Sequence, residues 1–451
     1  MRRAGVLLHP TSLPGGVLNE DVERFLDWMS CCGLSVWQIL PLGVPHGDRS
    51  PYQTCSCRAL NPALLPPGER LPADQYPDFA QFAARHSDWL EDFALFMALQ
   101  EHFDGQPWSR WPEELRYRDE RALEQFSADA AVRLNELKVE QFLLDRRWQE
   151  VLRQAHQRGI QLLGDVPISV AYDSVEVWAH PELFRLDEKL QPTVVTGVPP
   201  DYFSETGQLW GNPHYDWERM QEDQFTWWRV RIASVLRQVD LVRIDHFRGL
   251  QALWEVPATE ETAINGQWVE TPGRQLLEAL REDFPHMPFI AEDLGVITPE
   301  VTALRNDFNL PGLSVLQFGF DGMADNPHRL QNLVENSVVY TGTHDNNTSC
   351  GWFNSLSDEL QEQVLKALPT QVGPMPWPLI AAALSSPARL AVIPMQDWLG
   401  LDAEHRLNTP GTTEHNWGWA FAWEQVTGSL AEVIHGWILR TERQGSAWKT
   451  M

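Results

Sequence analysis

The chain is short of cysteine, of cations and of long apolar runs, and each shortage removes a class of protein. Its five cysteines, Cys31, Cys32, Cys55, Cys57 and Cys350, are too few and too scattered for a disulfide framework. They fit a reducing, cytoplasmic setting. One residue separates Cys55 from Cys57, which is not zinc-site spacing. Lys and Arg number 35 against 62 Asp and Glu, so the net charge is −27. Such a field repels nucleic acid and anionic membranes unless a basic patch offsets it, and no run of Lys/Arg does so. No apolar run approaches the ~20 residues of a membrane helix. The opening MRRAGVLLHPTSLPGG stops being apolar at His9-Pro10, short of a secretory signal, and reads as a first strand. A glycine-rich phosphate loop, a G-x-S-x-G elbow and a zinc-type histidine pair are all missing. Neither a cofactor nor a metal is expected.

What is present is apolar and aromatic. Hydrophobic residues make up 43 % of the 451, enough for a sizeable core. Tryptophan occurs 21 times, partly in polar contexts such as QLWGNPHYDW and EHNWGWAFAW. Trp often buries one face and offers the other to a ligand, and the C–H faces of pyranose rings suit such platforms. Carbohydrate is therefore a candidate substrate on composition alone.

Eight short apolar runs end in polar or charged residues: 5–10, 35–43, 159–168, 239–247, 288–295, 312–320, 337–347 and 390–400. Helix-like stretches such as DVERFLDWMSCC and GRQLLEALREDF lie between many of them. Eight strands alternating with helices predict an α/β fold, a (β/α)8 TIM barrel, with an open doubly wound sheet as the rival. The barrel is favoured because polar groups close nearly all eight runs. One catalytic domain over 1–451 is expected, with mostly helical insertions on the catalytic face. The first spans about 51–155 and is helical in period; the second, at about 170–235, is loop-rich and substrate-binding. Within the second, VTGVPPDYFSETGQLWGNPHYDW reads as a long ordered loop.

In such a barrel the chemistry sits at the carboxyl ends of the strands. Asp245, Glu292 and Asp345 occupy such positions. A single carboxylate there would be an ordinary helix cap or solvated turn. Three of them, each after an apolar strand and among other polar groups, suit glycosidic-bond chemistry, which needs an ionised nucleophile and a protonated acid. In LVRIDHFRG, strand alternation puts Arg243 and Asp245 on one face, so the cation favours ionised Asp245. Alternation also sends Glu292 and Asp293 to opposite sides. His344 and Asp345 are placed to clasp two hydroxyls of one sugar; His246 either does the same or packs behind its strand.

The segments GVLLHPTSLPGG, WQILPLG, SPYQTCS, GDVPISVAYDSVEVW, GVPPDYFSETGQLWGNP, RIDHFRGL, IAEDLG and YTGTHDNNT together closely resemble the amylomaltases. These are 4-alpha-glucanotransferases of the alpha-amylase clan, also called disproportionating enzymes. The resemblance implies a retaining barrel enzyme that moves a segment of an α-1,4-glucan to the 4-hydroxyl of an acceptor glucan or glucose. Maltooligosaccharides, amylose and glycogen-derived dextrins would be its partners. By position, Asp245 matches the nucleophile, Glu292 the general acid/base and Asp345 the transition-state stabiliser. Arg243 and His344 match residues around the donor sugar; Asp165, Tyr52 and Trp210 match substrate contacts. Two stretches depart from the family pattern: GVLNED after SLPG, and RLNTPGTTEHNWGWAF, where His415 precedes Asn-Trp and Ala420 replaces an expected arginine. A hydrolase with the same trio and a non-catalytic glucan-binding protein are the alternative readings.

Overall fold

A computed structural model of the chain describes residues 2–68, 75–200, 204–368 and 373–445. Eight strands form its centre: β1 (Arg3–Leu7), β2 (Val36–Gln38), β3 (Gln161–Val166), β4 (Leu241–Ile244), β5 (Phe289–Ala291), β6 (Gly312–Val315), β7 (Ser337–Tyr340) and β8 (Leu390–Pro394). They correspond one for one to the eight apolar runs. All neighbours pair in parallel in the order β6-β7-β8-β1-β2-β3-β4-β5. The ring is drawn together between β5 and β6. There the Ala291 N–H donates to the Pro311 carbonyl at 2.8 Å, and the Leu313 N–H donates to Asp293 Oδ1 at 2.7 Å.

Strand alternation sorts the side chains into two shells. Leu7, Val36, Leu163, Leu241, Ile290, Leu313, Val338 and Leu390 pack together along the barrel axis. Their neighbours in sequence, including Val6, Trp37, Leu162, Val242, Phe289 and Val339, pack outward in the main core. Inside the barrel this apolar filling is capped at both ends by polar residues. At the amino-terminal end Arg3 bonds Gln161 and Ser35. At the carboxyl-terminal end lie Gln38, Tyr340, Asp165 and Arg243, with the Tyr340 hydroxyl donating to Gln38 at 2.8 Å. The interior is thus a packed core that turns polar where the strands open.

Amphipathic helices cover the outside. The helix Glu20–Cys32 starts where Asn19 caps the Asp21 N–H and ends at Gly33, whose φ of 76° is left-handed. Helices Thr226–Leu236, Gly273–Asp283, Pro299–Asp307 and Trp377–Ser385 precede β4, β5, β6 and β8. Two 3₁₀ turns, Leu316–Phe318 and Leu330–Asn332, stand between β6 and β7 in place of a helix. Between β2 and β3 the described residues form five helices, ending in the long Ala131–Gln157 that leads into β3. No described helix is long and apolar enough to cross a membrane.

The stretch read as a long loop differs from expectation. Val194–Val198 and Gln208–Pro213 are strands of a four-stranded antiparallel sheet completed by Ala252–Pro257 and Gln267–Glu270. These strands are short and interrupted by Gly and Pro. Half of their partners lie about 50 residues on, after β4, so no local period marks them. Residues 201–203 of that stretch lie outside the described residues.

The chain end is tied to its beginning by one side chain. Arg443, fully buried, donates to the carbonyls of Leu384, Arg3, Ala388, Ala383 and Ser386 at 2.6–3.2 Å. Burial without a carboxylate partner lowers its pKa to about 9. Replacing it by Met leaves several buried carbonyls unpaired, each costing about 1–3 kcal/mol. Arg443→Met is therefore expected to lose at least about 3 kcal/mol in urea unfolding; a loss below about 1 kcal/mol would contradict the clamp.

Candidate active site

The polar cap at the carboxyl end of the barrel is built on strand register. Asp165 of β3 and Arg243 of β4 are direct partners in the ladder, which is why they meet. The guanidinium forks: Nη1 pairs with Asp165 and Nη2 lies 2.8 Å from Asp245 Oδ1. The Tyr52 hydroxyl donates to the same Asp165 carboxylate at 2.7 Å. Burial pushes the Asp165 carboxyl up to about 6, against the opposite pull of Arg243. Its Oδ1 is buried and makes no hydrogen bond.

Asp245 and Glu292 are brought level by the next pair of strands. Arg243 and Ile244 pair with Ile290 and Ala291. Carrying that register on by one residue sets Asp245 beside Glu292, one strand spacing away, about 4.8 Å. The backbone there turns sharply: His246 has a left-handed φ of 51°. Its N–H consequently points at Glu292 Oε2, at 2.6 Å, while the Leu294 N–H donates to Oε1 at 3.1 Å. Glu292 is held well above the ordinary glutamate range, chiefly by burial, with the neighbouring negative charge of Asp245 adding to it. Arg243 and the His246 N–H pull the other way but do not prevail. Asp293 points away and pairs with Arg305, as alternation predicts.

Asp345 comes from the loop after β7. His344 Nε2 lies 3.2 Å from its Oδ2, and Asn408 Nδ2 donates to Oδ1 at 2.6 Å. Burial raises its pKa, but His344 and Asn408 outweigh it and hold the carboxyl down at about 2. Arg406 bonds its backbone carbonyl. The His344 ring stacks on Tyr52, with centroids 5.2 Å apart and planes at 18°, and Trp417 leans on both.

All nine residues singled out in the sequence gather at this mouth. Tyr52, Asp165, Arg243 and Asp245 form one bonded chain; Tyr52 carries it on to His344 and Asp345. Glu292 joins through the His246 backbone, and the half-buried Trp210 meets the His246 ring edge-on at 4.9 Å. The His246 ring stays close to its strand under Trp210, with burial lowering its pKa to about 4. Asn408 and Arg406 were missed; Trp417 lies in EHNWGWAFAW, which the sequence offered only as a Trp-rich platform. Asn408 and Arg406 follow β8, and no spacing ties them to Asp345. Among the described residues no three His, Cys, Asp or Glu side chains group as a metal site.

The side-chain exposures divide the carboxyls. Glu292 is 8 % exposed as a residue, whereas the side chains of Asp245 and Asp345 are 26 % and 45 % exposed. A buried acid whose pKa is raised thus shares the mouth with two carboxylates that open to the cleft. A (β/α)8 barrel with such a mouth defines a class of enzyme that works on sugars by acid–base chemistry. The comparisons narrow the class. The 4-alpha-glucanotransferase family profile matches residues 8–71 and 67–425. The chain is 43 % identical to a 4-alpha-glucanotransferase of Thermus thermophilus, over 97 % of each chain. It is 42 % identical to one from a Synechocystis species, over 95 % of this chain and 96 % of that one. It superimposes on the amylomaltase of Streptococcus agalactiae, solved with acarbose, with a TM-score of 0.94 and 31 % identity, covering 98 % of this chain and all of that one. The chain belongs to the 4-alpha-glucanotransferase family and is an enzyme of that family.

The raised Glu292 fixes a pH dependence. Its protonated form persists below its folded pKa and is lost as pH rises through it. The alkaline limb of kcat/KM is therefore expected to lie well above the ordinary glutamate range. A limb near ~4.3, the ordinary glutamate value, would contradict it. Asp345 stays ionised above about 2, so it does not set an acid limb in the working range.

Proposed function

We propose that this 4-alpha-glucanotransferase works by double displacement, with Asp245 as nucleophile, Glu292 as acid/base and Asp345 as transition-state stabiliser. An α-1,4-glucan lies across the barrel mouth with one glucosyl unit over Asp245. Asp245 attacks the anomeric carbon as Glu292 gives its proton to the departing 4-oxygen, which leaves as the new non-reducing end of the released piece. A glycosyl ester remains on Asp245. Glu292, now ionised, takes the proton from the 4-hydroxyl of an incoming glucan or glucose, whose oxygen attacks the anomeric carbon and displaces the Asp245 carboxylate. Two inversions retain the α configuration.

One observation carries this reading: Glu292, whose carboxyl burial pushes well above the ordinary range, follows the strand next to that of Asp245, which Arg243 pairs. Retention requires these carboxyls to lie ~5–5.5 Å apart. Asp345 and His344 are placed to grip neighbouring hydroxyls of the same sugar, and the ionised Asp345 favours the positive charge that builds up at the anomeric carbon.

Transfer in preference to hydrolysis requires that sugar reach the ester before water. The half-buried rings of Trp210 and Trp417 beside the site offer surfaces on which an acceptor glucan can stack and exclude solvent. Maltooligosaccharides, amylose and glycogen-derived dextrins are the proposed donors. The five free cysteines support action in a reducing cytoplasm.

With maltotriose the expected products are glucose and a ladder of longer maltodextrins. Short products with a steady rise in reducing ends would mean hydrolysis. Asp245→Asn and Asp345→Asn are each expected to lower kcat by on the order of 10⁴-fold with the fold intact. Substantial turnover by Asp245→Asn would remove it from the nucleophile's place.

A further inference from the structure

The loop that carries His344 and Asp345 is fastened at both ends to one buried side chain. Asp397, just past β8, is 1 % exposed. Its Oδ2 accepts from the hydroxyls of Thr341 at 2.5 Å and Ser349 at 2.6 Å, and its Oδ1 from the Ser349 N–H at 2.7 Å. Thr341 is the first residue after β7, and Ser349 opens the helix Ser349–Asn354; both are fully buried. Among the described residues no cation pairs with Asp397. Three uncharged donors hold it, all from the two ends of this loop.

A buried carboxyl without a cation is a costly way to fill space, so packing alone does not account for an aspartate here. Packing against the loop leaves a small cavity of about 20 Å³, lined by His9, Ser12, His344, Asn347 and Gln396. Inside the loop the restraints are local: Asn346 Oδ1 accepts from the Thr343 N–H and hydroxyl. Between its ends the loop is also tied to the barrel by Arg406 and Asn408 on Asp345, by Gln317 Nε2 donating to the Asn347 carbonyl at 3.0 Å, and by the rings of Tyr52 and Trp417 on His344. Asp397 is the side chain that bonds both ends, and like Arg406 and Asn408 it follows β8.

We propose that Asp397 is a positioning residue: by clamping both ends of the 341–349 loop it sets where Asp345 stands in the site. This rests on the reading of Asp345 as transition-state stabiliser. Fixing the ends removes most of the freedom of a short loop, and a carboxylate displaced by ~1 Å can lose ~10²-fold in rate.

Asp397→Asn keeps the size of the side chain but removes its charge and one acceptor. Assayed on maltotriose, it is expected to lose about 100-fold in kcat with KM within about threefold of the parent. Its circular dichroism spectrum should match the parent's. If that variant fails to fold, Thr341→Val and Thr341→Ser decide. The valine is expected to lose about tenfold in kcat at unchanged KM, and the serine, which restores the hydroxyl, to recover it. A kcat within about twofold of the parent in Asp397→Asn or Thr341→Val, or a loss confined to KM, overturns the clamp. Asp345→Asn is measured alongside. If it stays active, the reading on which the clamp rests has failed; if it is inactive while Asp397→Asn is normal, only the clamp has.

Discussion

Arg243 is a charge buried inside a barrel, and the layout of the site follows from how that charge is compensated. A guanidinium taken out of water at this depth is tolerable only if carboxylates meet it. The β3–β4 register supplies Asp165 directly across, and the strand's own alternation supplies Asp245 two residues on. The planar fork lets one cation hold both acids, which a lysine's single ammonium would not do in the same geometry. Tyr52 closes the third side through Asp165 and at the same time stacks on His344, so the ion pair also locates the loop after β7.

Around this pair the carboxyls take opposite characters for physical reasons. Glu292 is buried and feels the negative charge of Asp245, so it keeps its proton despite the Arg243 charge and two backbone N–H donors. Asp345 lies nearer solvent with His344 and Asn408 donating to it, and it stays charged down to about 2. Acid–base chemistry on a sugar needs this division of labour, and here it is produced by depth and by donors.

Much of this was legible in the sequence because the barrel writes its period into the chain. Eight apolar runs became eight strands, and LVRIDHF alone told that Arg243 and Asp245 share a face while Val242 and Ile244 pack outward. Alternation likewise separated Glu292 from Asp293. The four-stranded sheet was not legible, because its strands are short, broken by Gly and Pro, and split by the whole of β4. Nor were Asn408, Arg406 and Asp397. Their partners lie about 50 to 60 residues away in sequence, on the neighbouring strand's loop, and polar residues in a loop carry no mark of what they will touch. His246 is a mixed case. The sequence offered its side chain as the contributor, yet the strained backbone N–H does the holding.

The place of Asp245 can be read directly by trapping the ester. A maltosyl fluoride with a second fluorine on the reacting ring slows breakdown of a glycosyl-enzyme, and peptide mass mapping then locates the sugar. The expected result is one glycosyl unit attached to the peptide that contains Asp245, at that residue. A label on Glu292 or Asp345, or a transfer product of inverted configuration with no trapped ester, would contradict the assignment of Asp245 and with it the purpose given to Arg243.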